Sequence, residues 1–199
     1  MSTPVVAGHP AYWTVPVVRA AIGFVPALVF TFNPDHTATF GLVAFGLWAL
    51  VSGLVVGALG ARFGQDRVGR AAWMLNGAVT AIAGILALVL PVSLATFTVI
   101  LIAWAAVTGL VELVVGLRGR GVDPASRDQV VVGALTMVYA VVNLVLPADS
   151  ATVVGYLGAY LVIIGVYLLI GGLSLRFGAV DRRAGGAAPT GTLPGTEQS

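Results

Sequence analysis

The sequence predicts an all-α membrane protein whose six transmembrane helices form three parallel repeats of a two-helix hairpin, with a period of about 56 residues. Three observations predict it. Of the 199 residues 58% are hydrophobic and only 9% charged, a balance that leaves a water-soluble domain of this size too little polar surface to cover itself. Fifteen residues from Gly77 to Pro91, GAVTAIAGILALVLP, recur from Gly133 to Pro147 as GALTMVYAVVNLVLP, with the closing Leu-Val-Leu-Pro in register. The arginines gather in every second connection and are absent from the others.

A hydrocarbon core of roughly 30 Å takes about 20 apolar residues of helix. Runs of that kind lie at roughly 13–32, 37–60, 71–90, 93–117, 130–146 and 150–175. The first starts at Trp13, an interfacial aromatic, carries Arg19, and stops at Asn33-Pro34. The second follows Asp35, an N-cap candidate, and ends before Arg62. The third starts near Trp73 and closes on Leu90-Pro91, and the fourth is opened by Ser93. The fifth is the shortest and counts as a span because it repeats the text of the third; Asp149 opens the sixth. The runs group into hairpins 13–60, 71–117 and 130–175 of one transmembrane domain, 13–177. A short tail, 1–12, precedes it. The Gly-, Ala-, Pro- and Thr-rich stretch 178–199 has little to bury and reads as a disordered tail.

The second helices of the hairpins also match. Ala95-Thr96, Trp104, Gly109 and Gly116 correspond to Ala151-Thr152, Tyr160, Gly165 and Gly172, all 56 residues on. A fainter first copy supplies Pro34, Ala38-Thr39, Trp48, Gly53 and Gly60, with one extra residue placed between Thr39 and Trp48.

Arg62, Arg67 and Arg70, then Arg118, Arg120 and Arg127, then Arg176, Arg182 and Arg183 fall on one side of the alternation, whereas the turns after Asn33, Pro91 and Pro147 hold no arginine. The positive-inside rule then puts the arginine loops and both termini in the cytoplasm of a multi-pass plasma (inner) membrane protein, with the lipid bilayer as its main partner. The net charge of +2 comes from these loops, not from a basic patch, so nucleic acid is not an expected partner. With no cysteine and only His9 and His36, neither inside an apolar run, no metal or cofactor site is expected. Zinc-protease, serine-hydrolase and phosphate-loop signatures are missing, and no enzymatic activity is expected.

Two ionisable residues lie inside spans, and either alone costs about 2.5–3.5 kcal/mol at a helix centre. Arg19 sits six residues after Trp13 and Glu112 six before Arg118, which places both on the order of 9 Å inside the cytoplasmic face. Asn76, fifteen residues before its closing proline as Arg19 is before Pro34, lies at the same depth. Arg19, Asn76 and Glu112 thus form a candidate intramembrane polar cluster, read either as a salt bridge that keeps the first helix inserted or as an ion or proton relay. The third copy has Val132 at this place, which argues against a threefold ring of ion ligands.

Trp48, Trp104 and Tyr160 each precede a glycine, Gly53, Gly109 or Gly165, by five residues. Aromatic and glycine together read as a packing unit against the hairpin partner, or alternatively as a cage for a stacked substrate. Ala49, Gly53 and Gly57 form a row of small residues suited to close helix contact, within one chain or between copies in a homo-oligomer.

The helix closed by Leu90-Pro91, the following Ser93-Leu94, then Trp104, Gly109, Glu112 and the exit from Arg118 to Arg120 resemble the repeat of the HdeD-like acid-resistance membrane protein family. The resemblance covers about Trp13 to Phe177, and is best in the second hairpin. In the first, Asn33-Pro34-Asp35-His36 replaces the expected Pro followed by Ser-Leu. What it implies is an inner-membrane protein of structural or acid-stress-protective role, with no active site to carry over and with a membrane protein as a conceivable partner. A small ion, proton or solute permeation module, lined by Arg19, Asn76 and Glu112, is the alternative.

Overall fold

Each apolar run forms a helix in the computed structural model, which describes residues 14–63, 67–120, 126–146 and 149–185. In chain order they are α1 (Thr14–Phe32), α2 (Ala38–Phe63), α3 (Arg67–Val89), α4 (Leu94–Arg118), α5 (Ser126–Val145) and α6 (Ser150–Gly185). No strand occurs among the described residues. Helices α2 to α6 are long and apolar enough to cross a membrane, while the apolar part of α1, Pro16–Phe32, is shorter. Residues 1–12 and 186–199 of the expected tails lie outside the described residues. Helix α6 runs on to Gly185, past the expected end near 175 and through Gly178, because no proline interrupts the segment before the Gly185-Gly186 pair.

The turn ends show how the three copies align. Backbone N–H groups of Phe40, Thr96 and Thr152 donate to the side-chain oxygens of Thr37, Ser93 and Asp149, and those of Gly41, Phe97 and Val153 to the carbonyls of the same three residues. The cap of α2 is therefore Thr37, not Asp35 as expected. Asp35 instead accepts from the N–H of Thr37 at 2.9 Å and orders the turn before the cap. Since Thr37, Ser93 and Asp149 are already 56 apart, the extra residue of the first copy lies between Pro34 and Thr37, and not between Thr39 and Trp48.

The helices close into a ring around a pseudo-threefold axis, and their closest pairings cross the repeat boundaries: α2 with α3, α4 with α5, and α6 with α1. Glycine makes this possible. A Cβ on Gly53 would collide with the backbone of Ala81 and lie 2.6 Å from the Gly77 carbonyl; one on Gly133 would lie 2.5 Å from the amide nitrogen of Leu113 and 2.8 Å from the Gly109 carbonyl. Without a hydrophobic drive between helices in lipid, such backbone proximity is what holds them. Gly165 occupies the same register in the third pair but faces the ring of Phe24 at 3.3 Å, so α6 and α1 meet through a side chain. The glycines thus pack against the neighbour across the arginine connection, or across the termini for α6, and not against the hairpin partner as expected. The row Ala49, Gly53 and Gly57 seats α3 within the chain.

Candidate functional site: a polar cavity on the axis

The aromatic of each repeat turns the other way, toward the axis and its hairpin partner. Trp104 Nε1 on α4 donates to Thr80 Oγ1 on α3 at 3.1 Å, and Tyr160 on α6 shares a 2.8 Å hydrogen bond with Thr136 Oγ1 on α5. The two threonines hold their own positions by donating to carbonyls one turn back, Thr80 to Asn76 and Thr136 to Val132. Trp48, Trp104 and Tyr160 meet edge-to-face, with centroids 5.5 and 6.1 Å apart. Rings in this contact leave no slot for a stacked guest, so the substrate-cage alternative is not what the geometry provides.

Beside these rings lies a cavity of about 70 Å³. Its lining is ordered by the repeat. Arg19, Asn76 and Val132 form one level; Gly23, Thr80 and Thr136 the next; and the three aromatics, then Ser52, Thr108 and Ile164, then Val56, Glu112 and Leu168 supply the even helices. Copies one and two contribute the charged and amide groups, and the hydroxyls of the third, Thr136 and Tyr160, bond to one another. The third contributes Val132, Ile164 and Leu168, each at least nine-tenths buried. Toward the proline turns Phe45, Leu101 and Leu157, again 56 residues apart, have no exposed surface and belong to one buried apolar cluster. The cavity therefore faces the arginine end, where Arg19 and Glu112 retain 16% and 11% of their side-chain exposure.

The structure brings the three candidate cluster residues together. Arg19 Nη2 donates to Glu112 Oε1 at 2.6 Å, and Asn76 Nδ2 donates to the same oxygen at 2.9 Å. The Arg19 guanidinium also lies 5.1 Å from the Trp73 ring centre, a cation–π contact. One carboxylate thus receives donors from two other helices and joins α1, α3 and α4. Two polar atoms on the cavity wall, Trp48 Nε1 and Asn76 Oδ1, are buried without a partner among the described residues. Sequence reasoning passed over Gly23, Ser52 and Thr108; the displacement of 56 residues from Ser52 to Thr108 on the aromatic-bearing helices, and of 57 from Gly23 to Thr80 on their partners, is the signal that finds them. No group of three or more His, Cys, Asp or Glu side chains arranged to hold a metal occurs among the described residues.

The repeat also decides the family. The model of a short repeat of unknown function (DUF308) matches residues 18–89 and again 75–145, together well over half of the chain. The chain belongs to the DUF308 family. The two DUF308 matches begin 57 residues apart, the separation of Arg19 from Asn76, and each takes in a hairpin and the following odd-numbered helix. A DUF308 unit so delimited, α1 to α3 or α3 to α5, includes the glycine-mediated pairs α2–α3 and α4–α5. No curated protein and no solved structure matches the chain.

Proposed function

We propose that this DUF308 protein is a non-catalytic, HdeD-like protein of the inner membrane, with both termini cytoplasmic, that protects the cell under acid stress as a closed structural body and not as a conduit. The observation that carries this reading is the buried apolar layer of Phe45, Leu101 and Leu157 on the proline-turn side of the cavity. On the cavity side of it, the charges of the spans cancel in one ion pair, so a permeating ion meets neither a continuous polar path nor an uncompensated charge.

The turn end supports the acid-facing part of the proposal. Hydrogen bonds from the backbone and side chain of Thr37 hold the Asp35 carboxyl below its ordinary value of 3.8, and those of Thr152, side chain first, do the same for Asp149. A depressed folded-state pKa stabilises the fold above the unfolded value, and that contribution is lost only as pH falls through the lower folded value. The turns thus keep their ionised carboxylates into acid that protonates an ordinary one. The acid-stress role itself rests on the resemblance of Gly77 to Arg120 to the HdeD-like repeat.

The test is proton and ion flux in proteoliposomes, with the wild type beside Glu112→Gln. Flux no greater than in empty liposomes is expected from both. Flux in the wild type that vanishes in Glu112→Gln would replace this reading with the permeation module.

A further inference from the structure

The threefold pattern of the cavity wall is broken at one hydrogen bond. In the second and third repeats the axial aromatic bonds to a threonine of the preceding helix, Trp104 to Thr80 and Tyr160 to Thr136. In the first repeat the aromatic is Trp48, and the place of the threonine, eleven residues before the closing proline, belongs to Gly23. A Cβ at Gly23 would meet nothing within 4 Å, so the space of the missing side chain is open to the cavity. Trp48 Nε1 is accordingly a buried donor without a protein acceptor among the described residues. On the next level Asn76, 9% exposed, supplies the complementary atom. Its Nδ2 must face the Glu112 carboxylate, which only accepts, and this leaves Oδ1 as a buried acceptor without a donor.

We propose that the cavity is a binding site for a small uncharged primary amide, whose carbonyl accepts from Trp48 Nε1, whose NH2 donates to Asn76 Oδ1, and whose short apolar end faces Val132, Ile164 and Leu168. Size, charge and wall chemistry each select this class. The 70 Å³ of space is about half of the roughly 150 Å³ that holds a benzene, which limits the guest to a few heavy atoms. Arg19 and Glu112 already neutralise one another, so a charged guest would enter without a counter-charge. The buried aliphatic side chains of Val132, Ile164 and Leu168 disfavour a guest that is polar on every side. Binding of this kind needs no passage through the membrane, since the site is reached from the arginine end, and it does not rest on the protective role proposed above.

Acetamide is the probe, titrated into the full chain in nanodiscs with its tryptophans labelled with nitrogen-15. The Trp48 indole resonance is assigned by its absence in Trp48→Phe. A saturable shift of that resonance is expected with acetamide and none with acetate at the same concentration. Gly23→Thr, which restores the hydroxyl that Thr80 and Thr136 supply in the other repeats, is expected to weaken acetamide by at least about tenfold. Should that variant fold poorly, Gly23→Ser makes the same substitution of hydroxyl for guest with less bulk. A Trp48 resonance that acetamide leaves in place, a shift shared linearly by all the indoles, an equal response to acetate, or a response undiminished in the folded Gly23 variant would each overturn the proposal.

Discussion

Replacing Glu112 with alanine is expected to cost about 3–5 kcal/mol of stability, the penalty of leaving a mostly buried charge without its partner. The carboxylate receives both Arg19 and Asn76 on one oxygen, so its removal takes the counter-charge from a guanidinium on α1 and an acceptor from an amide on α3. Helix α1 suffers most. Its ten Val, Ile, Leu and Phe residues between 13 and 32 favour insertion by only about 3–6 kcal/mol, and an arginine that has lost its counter-charge offsets much of that. Thermal melting in detergent should therefore show a large loss for Glu112→Ala and a substantial recovery in Glu112→Ala with Arg19→Ala. Equal melting of wild type and Glu112→Ala would show that the pair contributes nothing. The reciprocal exchange, Arg19→Glu with Glu112→Arg, should recover less than the double alanine, because the surroundings are directional. Trp73 sits over the guanidinium, and Asn76 has turned its donor toward the carboxylate.

Gly77→Ala should destabilise by about 1–3 kcal/mol, although it adds a single methyl group. That methyl would lie 2.6 Å from both the Gly53 carbonyl oxygen and the Gly57 nitrogen. Backbone atoms cannot rotate aside as a side chain does, so α3 must back away from α2 along its length. Gly77→Val should abolish the folded protein. The control is Gly57→Ala on the facing helix α2: its Cβ meets nothing within 4 Å, and a change within about 0.5 kcal/mol is expected. Denaturation in mixed micelles distinguishes the two sites, and equal effects at Gly57 and Gly77 would show that α2 and α3 do not approach as described.

These two sites also show what was legible in the chain. The depth of Arg19, Asn76 and Glu112 follows from counting residues at a constant rise per residue, and the copied text gives the number of helices and the turns between them. Azimuth is harder. Gly53 and Trp48 are five residues apart, far enough round the helix to serve two faces, and the sequence does not name the helix that each face meets. A covalent hairpin is the natural guess for the closest pair, but contact in lipid follows small residues, and these match across the arginine connections. The cap at Thr37 was hidden because Asp35 is the stronger cap type and the inserted residue falls in the turn itself. Gly23 drew no notice since the absence of a hydroxyl matters only beside a tryptophan from another helix.

Three repeats enclose a cavity that is open to the arginine end and shut toward the proline turns. Since the chain contains no cysteine, single thiols can report it directly. Ser52→Cys places one on the cavity wall, and Val92→Cys places another on an exposed turn. Both are exposed to silver ions from one side of sealed, oriented vesicles, and the surviving thiol is counted with a maleimide after solubilisation. Protection of Ser52→Cys only by silver applied at the arginine face, and of Val92→Cys only from the opposite face, is the predicted result. Reaction of Ser52→Cys with silver from the turn face would contradict the seal formed by Phe45, Leu101 and Leu157, and with it the account of a closed body.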